Sequence, residues 1–184
     1  MAASQNIRHA ARVLHAGGVI AYPTEGVFGL GCIPENYSAV RNILDIKSRD
    51  ESKGLIMIFS DPEQITAWID LPIDELKLQA PGSNPVTWII PASDEVPLWI
   101  CGEHDSIAVR LTSHPVAKSL CDEANSAIVS TSANISGREP ARNSLLLRRQ
   151  FAALVDYIVP GQCGPATGPS EIRDYMSGDI VRPA

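Results

Sequence analysis

The sequence predicts a single α/β domain spanning 1–184, built on a mixed parallel and antiparallel sheet flanked by helices. Three observations carry this. Short β-branched runs alternate with amphipathic helical patterns along the chain. Several of those runs are separated by turns rather than helices, which a purely parallel sheet does not allow. A chain of 184 residues is enough for one substantial core, and no repeat or Gly/Ser/Pro-rich linker divides it.

Taken in order, Ile7, Ala10, Ala11 and Leu14 recur at helical spacing after Ser4, and Gly17 with Gly18 ends that helix, leaving His9 and His15 on its surface. A strand over 19–22 then meets Pro23-Thr24-Glu25. The segment GVFGLGC follows, with glycines at 26, 29 and 31; it reads as a loop for close backbone approach or, more simply, as a tight strand-to-strand turn. A second helix begins near Asn36 or Ser38 and runs through Val40, Ile43, Leu44 and Lys47, and a strand occupies 54–59. Asp61-Pro62-Glu63 is a helix start whose helical region continues in pieces to about Gln79. Pro81-Gly82 turns into a strand over 86–91, with Trp99 filling core beyond it. A strand over 107–111 and a helix over 115–125 come next. The run Ala127, Ile128, Val129 is a strand, a helix over 144–153 turns Leu145, Leu146 and Leu147 inward, and 157–159 is a late strand. Two extended pieces in the tail flank a Ser177-Gly178 hairpin turn.

Composition narrows the function classes. With 45% hydrophobic and 20% charged residues, the chain has too much apolar content for a mainly disordered protein. It shows no secretory leader and no apolar run of membrane-spanning length, so a cytoplasmic location without membrane contact is expected. Cys32, Cys101, Cys121 and Cys163 form no CxxC pair, which suggests neither a disulfide framework nor a zinc ribbon. Cys101 and His104, followed by His114 and Cys121, have ligand-like spacing without paired knuckles, so no metal site is assigned. The net charge of −6 gives no global attraction to nucleic acid, so any polyanion site must be local.

Three segments concentrate chemistry. Lys47 and Arg49 close the second helix in KSR, with Lys53 just beyond; phosphate binding and simple complementarity to the helix C-terminus are equally good readings. Arg110 is the single charge in IAVRL and must meet either an internal carboxylate or an anionic ligand. In VSTSANISG, over 129–137, a strand runs into Ser130, Thr131, Ser132, Asn134 and Ser136. Strand-end loops of α/β folds hold ligands, yet an isolated S-x-N more often bonds its own backbone.

Together, YPTEGVFGLGC at 22–32, KSR with Lys53, SIAVRLTSHP at 106–115, STSANISG at 130–137 and PSEIRD with Arg182 resemble the YrdC family, in one order over nearly the whole chain. The resemblance implies a twisted mixed sheet with a concave basic face. It also implies a nucleotidyltransferase that joins L-threonine, bicarbonate or CO2, and ATP into threonylcarbamoyl-AMP and pyrophosphate, for the t6A modification of tRNA at position 37. Matched position by position, Lys47 and Arg49 would be catalytic. Lys47, Arg49, Lys53, Ser106, Ser130, Ser132, Asn134, Arg142 and Arg182 would bind ATP, with Arg142 preferred over Arg138. Thr24, Arg110 and Ser170 would bind threonine, Arg110 through the carboxylate. Magnesium would be held mainly through ATP, with no protein ligand named.

Two departures from the family wording carry expectations. Gly26 stands where a larger residue is common and would loosen the threonine loop, and REPAR replaces a more Pro-rich wording after SG. The chain's stop just past Arg182 fits a short form working with separate downstream proteins, TsaD, TsaB and TsaE, and with a possible tRNA contact. The alternative is an RNA-binding module without catalysis, against which the acidic charge weighs. Carbamoyl-adenylate-forming relatives are a third reading, disfavoured by length.

Overall fold

The computed structural model describes residues 2–72, 74, 78, 85–135, 137–166 and 169–183. Helix α1 (Ala2–His15) opens the chain. Strands β1 (Ile20–Pro23) and β2 (Phe28–Gly31) form a hairpin, so GVFGLGC contributes a strand as well as a turn. Helix α2 (Tyr37–Lys47) starts where Asn36 accepts the Ala39 N–H at 3.0 Å. Then come β3 (Ile56–Phe59), β4 (Val86–Pro91), the short α3 (Leu98–Cys101), β5 (Ser106–Leu111) and α4 (Pro115–Ala124). After β6 (Ile128–Val129), β7 (Thr131–Ser132), α5 (Ser144–Phe151) and β8 (Tyr157–Ile158), the tail forms the hairpin of β9 (Glu171–Asp174) and β10 (Ile180–Arg182).

These strands make two mixed sheets where one was expected, ordered β10-β9-β4-β5-β3-β6 and β7-β2-β1-β8. The division has a local cause. Ile128 and Val129 pair with β3, the Ser130 N–H donates to Ile56 O at 2.7 Å, and then Thr131 and Ser132 pair with β2. One extended stretch therefore changes sheets at Ser130 and stitches the two together.

Gly31 makes that crossing possible. A Cβ there would lie 2.6 Å from the Val129 carbonyl oxygen and 2.8 Å from both the Ile128 Cγ2 and the Tyr22 ring. Gly31→Ala is therefore expected to cost about 2–3 kcal/mol, read as a lower urea midpoint with an unchanged slope.

Two apolar clusters surround the sheets. Ile20, Tyr22, Ile58 and Ile128 pack under Leu14 of α1 and Leu120 of α4, while Phe28, Met57, Phe59, Trp88 and Val109 join Ile43 of α2 and Phe151 of α5. In α5, Leu147 is buried but Leu145 is 79% exposed, because consecutive helical positions lie about 100° apart and three leucines cannot all face one core. Trp99 packs as expected, its ring 5.0 Å from Tyr37 and its Nε1 donating to Pro34 O. Pro62–Trp68 is a 3-10 helix capped by Asp61, at the helix start expected there. Much of the segment expected to stay helical up to Gln79, and the Pro81-Gly82 turn, lies outside the described residues. No helix among them is long and apolar enough to cross a membrane.

Candidate active site

The end of α2 sets the direction of two cations. Ser48 takes a left-handed conformation (φ 49°), its N–H bonding Asp45 O and that of Arg49 bonding Leu44 O. This reversal puts Lys47 inside and turns Arg49 onto a cleft of about 220 Å³ between the Thr24–Gly29 segment and the floor at Leu55 and Ile56. Thr24, Arg110, Ser130, Ser132, Ser170 and Arg182 also line it. Seven of the residues named from the sequence thus meet at one place.

The cations differ in how they are held. Arg49 donates to Gly54 O at 2.9 Å, while its buried Nε has no hydrogen-bond partner among the described residues; burial pulls its pKa down, and an anion in the cleft would relieve both. Arg110 lies 3.7 Å from the Glu25 carboxylate. Arg182 donates to Ser170 O at 2.8 Å, which ties the tail hairpin to the cleft.

Lys47 is buried and donates three hydrogen bonds, to Ser132 O at 2.5 Å, Asn134 O at 3.0 Å and Asn134 Oδ1 at 2.9 Å. An ammonium has three hydrogens, so in this structure Lys47 is fully engaged by the S-x-N loop. Burial, then the neighbouring Arg49, pushes its pKa down to about 8. Ser132 Oγ donates to Asn134 Oδ1 at 2.6 Å and the Asn134 amide donates to Arg138 O, so the self-bonded form of this loop is real. Ser130 and Ser132 still face the cleft.

Asn134 and Lys47 stand behind the cleft wall, and Lys53 and Arg142 are exposed outside it. Ser106 begins β5, on the same strand face as Arg110 and, at the usual rise per residue, about 13 Å from it. Arg138 lies on a separate surface with Leu146 and Arg149. Ser136 lies outside the described residues.

Gly26 tightens its loop rather than loosening it. Ala166 N donates to Glu25 O and Gly164 N to Thr24 O, both at 2.9 Å, and a Cβ on Gly26 would lie 2.8 Å from Ala166 O. Thr24 Oγ1 donates to Val27 O at 2.7 Å, leaving its lone pairs as acceptors. The Ser170 and Thr87 hydroxyls, 2.8 Å apart, bond each other.

Glu25 is the cleft residue that the motif reading passed over. Its Oε1 accepts from Thr112 Oγ1 at 2.7 Å, Ser113 N at 3.1 Å and His114 N at 3.3 Å. Burial on its own would raise its pKa, but Arg110 and these donors outweigh that and hold it below 4.5. One signal was available: Glu25 is a lone acid in an apolar, Gly-rich segment, the counterpart of the lone Arg110.

The fold is α/β, and one cleft in it is lined by Arg49, Arg110 and Arg182. The chain belongs to the Sua5/YciO/YrdC family, whose model, described as telomere recombination, matches residues 12–184. It is 48% identical over 179 residues to the threonylcarbamoyl-AMP synthase of Nitrosococcus oceani, covering 96% of each chain. P. abyssi Sua5 complexed with L-threonine superposes with a TM-score of 0.82 at 30% identity, over 91% of this chain and 50% of that one, so the chain spans about half of the P. abyssi protein. E. coli YciO superposes with a TM-score of 0.80 at 26% identity, over 96% and 87%.

Proposed function

We propose that this chain is a threonylcarbamoyl-AMP synthase acting as one catalytic domain. It consumes L-threonine, bicarbonate or CO2, and ATP, and supplies the activated intermediate for t6A at position 37 of tRNA. The relatives' names and their near-complete coverage support this over an RNA-binding module. The observation that carries it in the structure is the convergence of Arg49, Arg110 and Arg182 with Ser130 and Ser132 on one cleft.

In this reading the threonine amine attacks CO2, forming a C–N bond and releasing a proton. An oxygen of the resulting carbamate attacks the α-phosphorus, and the bond to pyrophosphate breaks. Two anions must approach each other, so the protein's work is charge neutralisation and alignment. Arg110 binds the threonine carboxylate, with Thr24 and Ser170 beside it. Arg49 faces the phosphates opposite Ser130 and Ser132, and Lys47 holds the Ser132–Asn134 loop in place. Ser106 meets the far end of the nucleotide, at a distance that suits its length. Lys53, Arg142 and Arg182 supply positive charge at the rim.

The cleft is smaller than the 300–1,000 Å³ usual for larger ligands, which suits an enclosed amino acid and phosphates with the nucleoside on the open face. Magnesium accompanies the ATP phosphates, where it offsets charge. Among the described residues there is no cluster of three His, Cys, Asp or Glu fit to hold it. The protein works in the cytoplasm and passes its product to TsaD, TsaB and TsaE, with tRNA contact at most secondary for an acidic chain.

Pyrophosphate release that requires both threonine and bicarbonate is the expected assay result; release indifferent to threonine would sink the proposal. Lys47 adds a pH signature. Its folded pKa of about 8 is below the free value of 10.5, so the unfolded chain holds a proton that the folded one releases between those values, and stability rises with pH across that window. Phosphates near Lys47 favour the charged form. ATP binding at a pH just above 8 is therefore expected to take up a proton, measured as a dependence of calorimetric enthalpy on buffer ionisation heat.

A further inference from the structure

Glu25 lines the same cleft as Arg110 and has no role in the chemistry above. Its Oε1 is saturated by the three donors from 112–114, the turn that follows Arg110 in the chain. Its backbone is fixed too, since Gly164 passes so close that a Cβ there would lie 2.6 Å from the Glu25 carbonyl oxygen. The other carboxylate oxygen, Oε2, is buried and stands 3.7 Å from the Arg110 guanidinium, whose Nε is likewise buried, and among the described residues neither atom has a hydrogen-bond partner. A carboxylate pinned in this way holds its second oxygen at a fixed place beside Arg110.

We infer that Glu25 is a positioning residue for Arg110, held from the β5 turn and steadying the guanidinium from behind so that its remaining donors meet the amino-acid carboxylate. This rests on the function proposed above. Arginine has a long, mobile side chain, and fixing it in advance removes an ordering cost from ligand binding. The separation matters as well. A close bidentate pair would use two guanidinium donors on Glu25, whereas 3.7 Å keeps the charge attraction and leaves those donors free. Glu25 also gives Arg110 a counter-charge, which Arg49 lacks among the described residues.

The test varies threonine at saturating ATP in the full chain and follows pyrophosphate. Glu25→Gln keeps an acceptor for the turn but removes the charge, and is expected to raise the threonine KM about tenfold, with kcat and the ATP KM within about twofold. Thr112→Val, a milder change that loosens Oε1, is expected to raise it about threefold and covers the case in which Glu25→Gln does not fold. In an Arg110→Ala background, Glu25→Gln should add no further rise in threonine KM and should raise Tm above that of Arg110→Ala, because it removes a buried charge that has lost its cation. A merely structural role would instead multiply the two defects. Parent-like threonine KM in Glu25→Gln and Thr112→Val, or multiplied defects in the double variant, overturns the inference while leaving the function standing. A parent enzyme that releases pyrophosphate without threonine overturns the function, and this inference with it.

Discussion

Arg110→Ala is expected to raise the threonine concentration for half-maximal pyrophosphate release by about 10²–10³-fold, with the ATP requirement little changed. The guanidinium pairs with the buried Glu25 carboxylate and sits on β5 between β3 and β4. A parent-like threonine dependence would remove Arg110 from the amino-acid site. The same substitution changes how stability responds to pH, and the sign follows from Glu25. In the parent, Glu25 has a folded pKa below 4.5, so its contribution is complete above that value and is lost as pH falls through the folded pKa. Without Arg110 the folded pKa moves up from its parent position, so the variant should gain less stability than the parent as pH increases through the carboxylate range, and urea midpoints measured across that range read the difference directly.

Lys47→Ala is expected to lower kcat/KM for ATP by about 10²-fold or more while the chain stays folded. The lysine ties Ser132 O, Asn134 O and Asn134 Oδ1 together, so its loss frees three acceptors and unfixes the loop that faces Arg49 across the cleft. Packing and hydrogen bonding are separable here. Lys47→Met keeps the packing but not the bonds, and is expected to be as defective as alanine. An active Lys47→Met variant would show that apolar packing alone sustains the site.

How much of this was legible in the sequence depended on distance along the chain. The start of the second helix near Asn36 and the tail hairpin at Ser177-Gly178 were readable because their signals lie within a few residues. Arg110 stood out because one charge in an apolar strand must have a partner. Its neighbour Glu25 did not, since the donors that fix it come from 87 to 89 residues away, and periodicity cannot see such a pairing. The second sheet was hidden for the same reason: it depends on a change of partner at Ser130, with two residues of ladder on either side.

Lys47 and Arg49 were legible as cations but not as a divided pair. Their separation into an inward clamp and a cleft-facing guanidinium comes from the left-handed turn at Ser48, a residue type that does not announce positive φ. Lys53 and Arg142 were matched by motif, and the fold leaves both exposed outside the cleft, where long-range charge is what they offer. Ser106 was matched in the same way, and it shares a strand face with Arg110 without lining the cleft.

In the proposed function one cleft aligns threonine at Arg110 with the ATP phosphates between Arg49 and the Ser130–Ser132 edge. A crystal structure with L-threonine and a non-hydrolysable ATP analogue would decide this. The expected result is the threonine carboxylate on Arg110, backed by Glu25, and the triphosphate against Arg49, with the nucleoside running along the β5 face toward Ser106. Threonine bound away from Arg110, or a triphosphate that leaves Arg49 untouched, would contradict it.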